Sequence, residues 1–308
     1  TVRTCVLIFS KQQQVLDNKI KIINISSKKD EEKFKKLQYS FLNQNIFKET
    51  EENNFRLNLN VEKINLLDKI KKNTLRLEDI CSLNYGLRAC GKKGEFVKKD
   101  IVFNQPNKNT KPYFEGKNTG FWTINENSFL EYNSSKLYNA MFPELFEKPK
   151  LVGLVTLSDI SKLRFVFDKD GFYCNHSVVI ITLWYLFKDL KNLSINKFKS
   201  IERIKNSEKY NYYFLQGILN SKLIKFYFNE LMYDGTHFYP NQMKSLPIKK
   251  TEEGKQTNIS DLVKQIIIEK TKNKNADIKY VEGKIDELVM DLYELTESEK
   301  EIIRNSIN

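Results

Sequence analysis

The stretch "RFVFDKDGFYCNHSVVIITLWYLF", Arg164–Phe187, decides how the fold is read. Two apolar runs rich in Phe, Val, Ile and Tyr flank Asp170-Gly171, a residue pair suited to the positive φ that a tight turn demands. The spacing predicts a β-hairpin. The Asp-x-Asp-Gly string also resembles the opening of a calcium loop, but the other ligands of such a loop are missing, so the turn is the better reading. The second run, Ser177–Phe187, carries no charge and is too short to cross a bilayer, which takes about 20 apolar residues.

Working outward, short apolar runs, aromatics and turn residues fill Leu75 to about Ile248. Next, "YNYYFLQGILNSKLIKFYFNELM" predicts two short helices that meet at Asn220-Ser221, where Asn ends one and Ser caps the other. Tyr213, Phe214, Phe226, Tyr227 and Phe228 read as core there. Beyond Pro247 the pattern is helical over Ser260–Lys270 and Glu282–Tyr293. The capping box Thr296-Glu297-Ser298-Glu299 opens a last helix to about Ser306. Upstream, Val2–Phe9 and Lys19–Ile25 read as strands and Lys28–Asn43 as a helix. A polar, Asn-rich stretch follows, and then a helix over Val61–Lys72 with Ile64, Leu67 and Ile70 at helical spacing. The fold class is therefore α+β: a β-rich domain flanked by helices, with a helical segment at the C-terminus.

The 308 residues are 40% hydrophobic and include 21 Phe and 15 Tyr, enough to bury a core. Lys, Asn and Ile usage is heavy, as an AT-rich genome would give. The net charge of +12 suits a polyanionic partner, because Lys and Arg displace counterions from phosphates. Cys5, Cys81, Cys90 and Cys174 are scattered, and neither His176 nor His237 stands near a Cys pair, which argues against zinc. A reduced, cytoplasmic protein is the simplest expectation.

There is no glycine-rich strand-to-helix loop, no phosphate-binding P-loop, no G-x-S-x-G and no H-E-x-x-H. Asp100 followed by Glu115-x-Lys117 loosely matches the D…E-x-K set of metal-dependent nucleases, in which two carboxylates hold the metal and Lys orients water. A solvated loop is the plainer reading of the same residues. The stronger lead is the basic and aromatic run from Tyr85 to Lys117. It carries Arg88, Lys92, Lys93, Lys111, Tyr113 and Lys117, with glycines that let backbone approach a ligand. The loop "DGTHFYPNQ" adds His237, Tyr239, Asn241 and Gln242. Arg and Lys bind phosphates or guanine edges, and Asn and Gln read adenine.

Six segments then stand in a telling order: "FRLNLNVEKINLLDKIKKNTLRLEDICSLNYGLRA", "KPYFEGKNTGFWTINENSFLEY", "FPELFEKPKLVGLVT", "LRFVFDKDGFYCNHSVVII", "YYFLQGILNSKLIKFYF" and "LPI". The series resembles the TaqI-like C-terminal specificity domain of adenine-specific DNA methyltransferases, a family that includes the fused type IIG restriction–modification enzymes. "KIDELVMDLYELTESEKEIIRNS" resembles the helix pair that closes such chains. The resemblance implies sequence-specific duplex DNA recognition. It also implies a catalytic methyltransferase domain in front of Thr1, binding S-adenosylmethionine through an N-P-P-aromatic motif. That motif does not occur here, so the resemblance implies no catalytic residue and no cofactor in this stretch.

On this reading residues 1–26 are the last strands of a methyltransferase sheet, 27–73 a helical linker, 74–250 the target-recognition domain and 251–308 the C-terminal helices. The two N-terminal strands should pair only with each other or lie exposed. The partners implied are double-stranded DNA and the chain's own methyltransferase domain, with no membrane. The alternatives are a nuclease built on Asp100, Glu115 and Lys117, or a protein-interaction subunit of a restriction–modification complex.

Overall fold

A computed structural model describes residues 8, 11, 18–23, 32, 35–36, 39–48, 56–57, 59–125, 127–233 and 235–307. The chain divides into two compact units, Thr1–Ile64 and Asn65–Asn308. In the first, β1 (Lys19–Ile22) pairs antiparallel with β2 (Ser40–Asn43), and Ile20 lies opposite Leu42. Ile22, Leu42 and Phe47 form a small buried cluster with Ile20 against it. The period-two alternation of Lys-Ile-Lys-Ile turns both isoleucines to one face. Two expectations are corrected here. The end of Lys28–Asn43 is a strand rather than helix, and the partner of β1 is β2. The strand expected at Val2–Phe9 lies outside the described residues except for Ile8, which is exposed.

The helix α1 (Val61–Lys71) spans the division, and in the second unit the order runs on with β3 (Thr74–Arg76), β4 (Cys81–Tyr85), β5 (Arg88–Gly91), β6 (Val102–Phe103), β7 (Thr110–Phe114), β8 (Ser128–Glu131) and β9 (Leu137–Asn139). It continues with α2 (Pro143–Glu147), β10 (Lys150–Leu154), β11 (Phe165–Asp168), β12 (Tyr173–Cys174), β13 (Val178–Leu183), α3 (Ile201–Ser207), α4 (Tyr212–Asn220) and α5 (Lys222–Leu231). It closes with α6 (Pro240–Lys244), β14 (Pro247–Lys249), α7 (Glu253–Lys272), α8 (Lys279–Leu292) and α9 (Glu297–Ser306). The α+β class holds.

The core is a four-stranded antiparallel sheet in the order β11-β10-β13-β4. Every residue of β10 and β13 is buried, so these inner strands are covered on both faces, and β13 reads as an uncharged, mostly apolar run. A second sheet has the order β12-β7-β8-β6, and β5–β9 and β14–β3 are separate antiparallel pairs.

The hairpin expected at Asp170-Gly171 is not formed. Gly171 does take positive φ (78°), and the chain turns there, but β11 joins the first sheet and β12 pairs parallel with β7 in the second. The cause is Asp168. Its carboxylate accepts the backbone N–H groups of Asp170 (3.0 Å), Gly171 (3.1 Å) and Phe172 (3.0 Å), which opens the turn and leads the chain out of the first sheet. The same carboxylate pairs with Lys150 at 2.5 Å; both side chains are fully buried, and Lys150 also donates to the Phe146 carbonyl.

The helices cover the core as their apolar faces dictate. α4 packs on β10 and β11 and against α7, where Gly217 leaves no room for a side chain: a Cβ there would stand 2.5 Å from Ile259. Tyr212 on α4 donates its hydroxyl to the Pro149 carbonyl (2.7 Å) and accepts the Leu183 N–H (3.0 Å), tying the helix to the sheet. The break at Asn220-Ser221 and the Thr296–Glu299 capping box are both formed.

Candidate nucleic-acid interface

β10 leaves the central sheet at Leu154 and β4 leaves it at Tyr85, while β13 enters at Val178 and β11 at Phe165. The antiparallel register brings these four points to one end of the sheet. Loops from distant parts of the chain converge there through main-chain bonds. Gly86 N donates to Val178 O (3.2 Å), Leu87 N to Cys174 O (3.0 Å) and His176 N to Leu87 O (2.9 Å). Val155 N donates to Ser177 O (3.1 Å), and Phe238 N to Val155 O (2.8 Å). Gly116 N donates to the Ser177 hydroxyl (2.8 Å). Gly86 is required by this approach, since a Cβ would stand 2.3 Å from the Asn175 carbonyl oxygen.

The side chains gathered at this end include aromatic, basic and imidazole groups. The His237 and Tyr239 rings stack with centroids 5.1 Å apart. Tyr85 is 38% exposed and Tyr239 42%. Burial, and then the neighbouring Tyr239, raise the Tyr85 phenol above its ordinary value. Arg164 stands just before β11; its Nε donates to the Thr119 hydroxyl (3.1 Å), its guanidinium lies 5.6 Å from the centre of the Phe121 ring, and burial lowers its pKa. Lys225 lies 5.6 Å from the same ring.

Of the residues expected from sequence, the structure brings His237 and Tyr239 to this end, with Lys117 beside Gly116 and Arg88 beside Leu87. Arg88 is exposed and lies over the Tyr138 ring (5.7 Å). Lys92 and Lys93 are exposed farther along the same segment, and Lys92 donates to the Ser135 carbonyl (2.9 Å). Asn241 and Gln242 lie on α6, which packs against β4. Asn241 accepts from Lys244 (3.1 Å), while Gln242 accepts from Tyr239 N (2.9 Å) and donates to Met232 O (2.9 Å). Both polar atoms of Gln242 therefore hold the loop together. Lys111 is drawn to Glu147 (3.2 Å) on the helix that leads into the start of β10. Tyr113 is 1% exposed, so its ring belongs to the core rather than to a surface.

The D…E-x-K trio is engaged otherwise. Asp100 accepts the Val97 N–H (2.8 Å). Glu115 receives Lys98 (2.8 Å), the Tyr113 hydroxyl (3.2 Å) and Lys117 (3.6 Å). Burial pushes the Glu115 carboxyl up, but Lys98, the Tyr113 hydroxyl and Lys117 outweigh it and hold it below its ordinary value. Among the described residues no three His, Cys, Asp or Glu side chains are grouped to hold a metal ion.

Sequence reasoning missed Tyr85, His176, Arg164 and the Phe121–Lys225 pair. The cue was topological: Tyr85, His176 and Arg164 adjoin the ends of three different strands, and nothing local marks them as neighbours.

Residues 111–248 match the family model of the TaqI-like C-terminal specificity domain. No curated protein matches the chain. Among solved structures the chain is similar to the type IIL restriction-modification enzyme MmeI in complex with DNA, at 9% identity and a TM-score of 0.51, over 75% of this chain and 35% of that one. It also aligns with a chain of a type I restriction-modification system (9% identity, TM-score 0.39, 80% of this chain and 52% of that one). A third is the HsdS subunit from Thermoanaerobacter tengcongensis (8% identity, TM-score 0.34, 75% and 50%). The MmeI likeness speaks to the fold. The chain spans about a third of that structure's length and about half of the other two.

Proposed function

We propose, from the TaqI-like specificity segment at residues 111–248, that this chain recognises a specific duplex DNA sequence as the specificity part of a restriction–modification enzyme. The matched segment carries the reading because it contains the loops 116–119, 155–164, 175–177 and 236–239 that meet at the sheet end. Strands lie about 4.8 Å apart, so four strand ends make a row about 14 Å long, close to the ~12 Å width of a major groove. Arg88, Lys92, Lys93, Lys117 and Arg164 supply phosphate contacts and most of the affinity. The polar and aromatic groups at the row's centre supply discrimination.

The finer reading is that the parent enzyme methylates adenine. S-adenosylmethionine and the catalytic residues then belong to a methyltransferase domain of the parent, as the sequence resemblance implies, and the scattered cysteines fit a cytoplasmic setting. The reading is tested by selecting bound duplexes from a random pool at moderate salt. A recurring motif of a few base pairs is the expected result. A pool left unenriched at low and moderate salt alike would sink it.

A further inference from the structure

We infer that His176 is a specificity-determining residue, and that its imidazole reads the major-groove edge of one purine in the target. The inference rests on the DNA-recognition reading above and deepens it.

Three observations carry it. The first is position. His176 precedes β13, an inner strand flanked by β10 and β4, so it stands near the middle of the converging row. His237 is at the neighbouring strand end, on the segment bridged to Thr156 after β10.

The second is rigidity. His176 N donates to Leu87 O, and its neighbours on both sides are anchored. Asn175 N donates to Phe114 O (3.4 Å), and Asn175 O accepts Val178 N (3.2 Å). Ser177 N donates to the Asn175 side-chain oxygen (3.2 Å), and the Ser177 hydroxyl donates to that same oxygen. A reader on so fixed a turn gives up little main-chain freedom when it binds.

The third is availability. His176 is exposed, and its ring has no hydrogen-bond, ion-pair or ring partner among the described residues. Gln242 and Asn241, the amides that resembled base readers in the sequence, already have internal partners. A neutral imidazole offers one donor and one acceptor. A ring N–H can donate to N7 of either purine or to O6 of guanine, or an unprotonated ring nitrogen can accept from adenine N6–H₂, one such bond at a time because the two nitrogens diverge.

The test is the same random-pool selection, run with the 308-residue chain as wild type, His176→Ala and His176→Gln. Thermal unfolding is measured on each protein, and these surface substitutions should leave it unchanged. The expected result is a motif that keeps its other positions in His176→Ala but loses roughly tenfold preference at one purine. His176→Gln should bias that position towards adenine, because its amide matches N6 and N7. A wild-type motif reproduced in full by His176→Ala overturns the inference and leaves the DNA-recognition reading standing. A folded His176→Ala protein that selects nothing overturns it as well, since His176 would then hold DNA as a whole and not one base pair. A wild-type pool without enrichment removes both readings together.

Discussion

The two ends of the central sheet treat charge in opposite ways. At one end β10 begins and β11 finishes, and Lys150 and Asp168 are fully buried and paired at 2.5 Å. Every capacity of Asp168 is taken up inside, by Lys150 and by three backbone N–H groups. At the other end His176 is exposed and unpartnered among the described residues, and Tyr85 and Tyr239 are half-exposed. The strands are the same, but one end closes the fold and the other leaves its side chains exposed to solvent. Polar groups therefore have to be sorted by whether the chain itself satisfies them. Residue type alone does not say which end a Lys, Tyr or His serves.

Replacing Lys150 by Met is the strongest way to test this contrast. It leaves the Asp168 carboxylate buried without its cation, and the loss should be about 3–5 kcal/mol in urea unfolding. Substituting both partners with apolar residues should cost less than the single change. A Lys150→Met protein as stable as wild type would mean that the pair is not what closes that end.

Asp286 is an intermediate case. Its carboxyl is partly buried beside Lys222 and Lys225 and accepts the Lys222 N–H (2.8 Å). Burial raises its pKa from 3.8 to about 6, against the opposing pull of that N–H and both lysines. Between those values the folded state holds a proton that the unfolded state has released, so stability falls as pH rises from about 4 to 6. The size is about 2–3 kcal/mol, and the penalty persists above pH 6. Asp286→Asn should flatten the pH dependence of Tm over that window and make the protein more stable than wild type at pH 7.

At the open end the expected effects are smaller and concern binding. Arg164→Ala should weaken every duplex by a similar factor, worth about 1 kcal/mol, and lower the salt slope by about 1, without changing the selected motif. A changed motif would move Arg164 from phosphate positioning to base reading. Asn241→Ala should do least, under about 0.5 kcal/mol in stability, since among the described residues that exposed side chain bonds only Lys244.

Local signals were legible in the sequence wherever local chemistry decides the outcome. Ser221 caps α5, accepting the Ile224 N–H at 3.4 Å, and Thr296 and Glu299 cap α9, as their spacing predicts. The uncharged run at Val178–Leu183 is an inner strand. Partner choice was not legible. Asp170-Gly171 does turn the chain, but only the buried Lys150–Asp168 pair, eighteen residues apart in sequence, shows why β11 and β12 enter different sheets. At the site, Tyr113 looked like part of a basic aromatic patch, yet it lies in a strand that turns its ring inward. His176 figured in the sequence only as a histidine away from any cysteine pair, and only the register of β13 against β4 and β10 reveals it beside the loop of His237.

The main-chain bonds that join Tyr85–Arg88 to Cys174–Val178 have a consequence for how such a protein can change. None of the three links, from Gly86, Leu87 and His176, involves a side chain. The frame that holds positions 85 and 176 is therefore indifferent to what stands there, while Gly86, pressed against the Asn175 carbonyl, admits no substitute without a shift. On the DNA-recognition reading proposed here, such a surface would work like a keyboard with a fixed chassis: keys are exchanged one at a time, each exchange would rewrite one letter, and the sheet beneath does not have to refold to accept it.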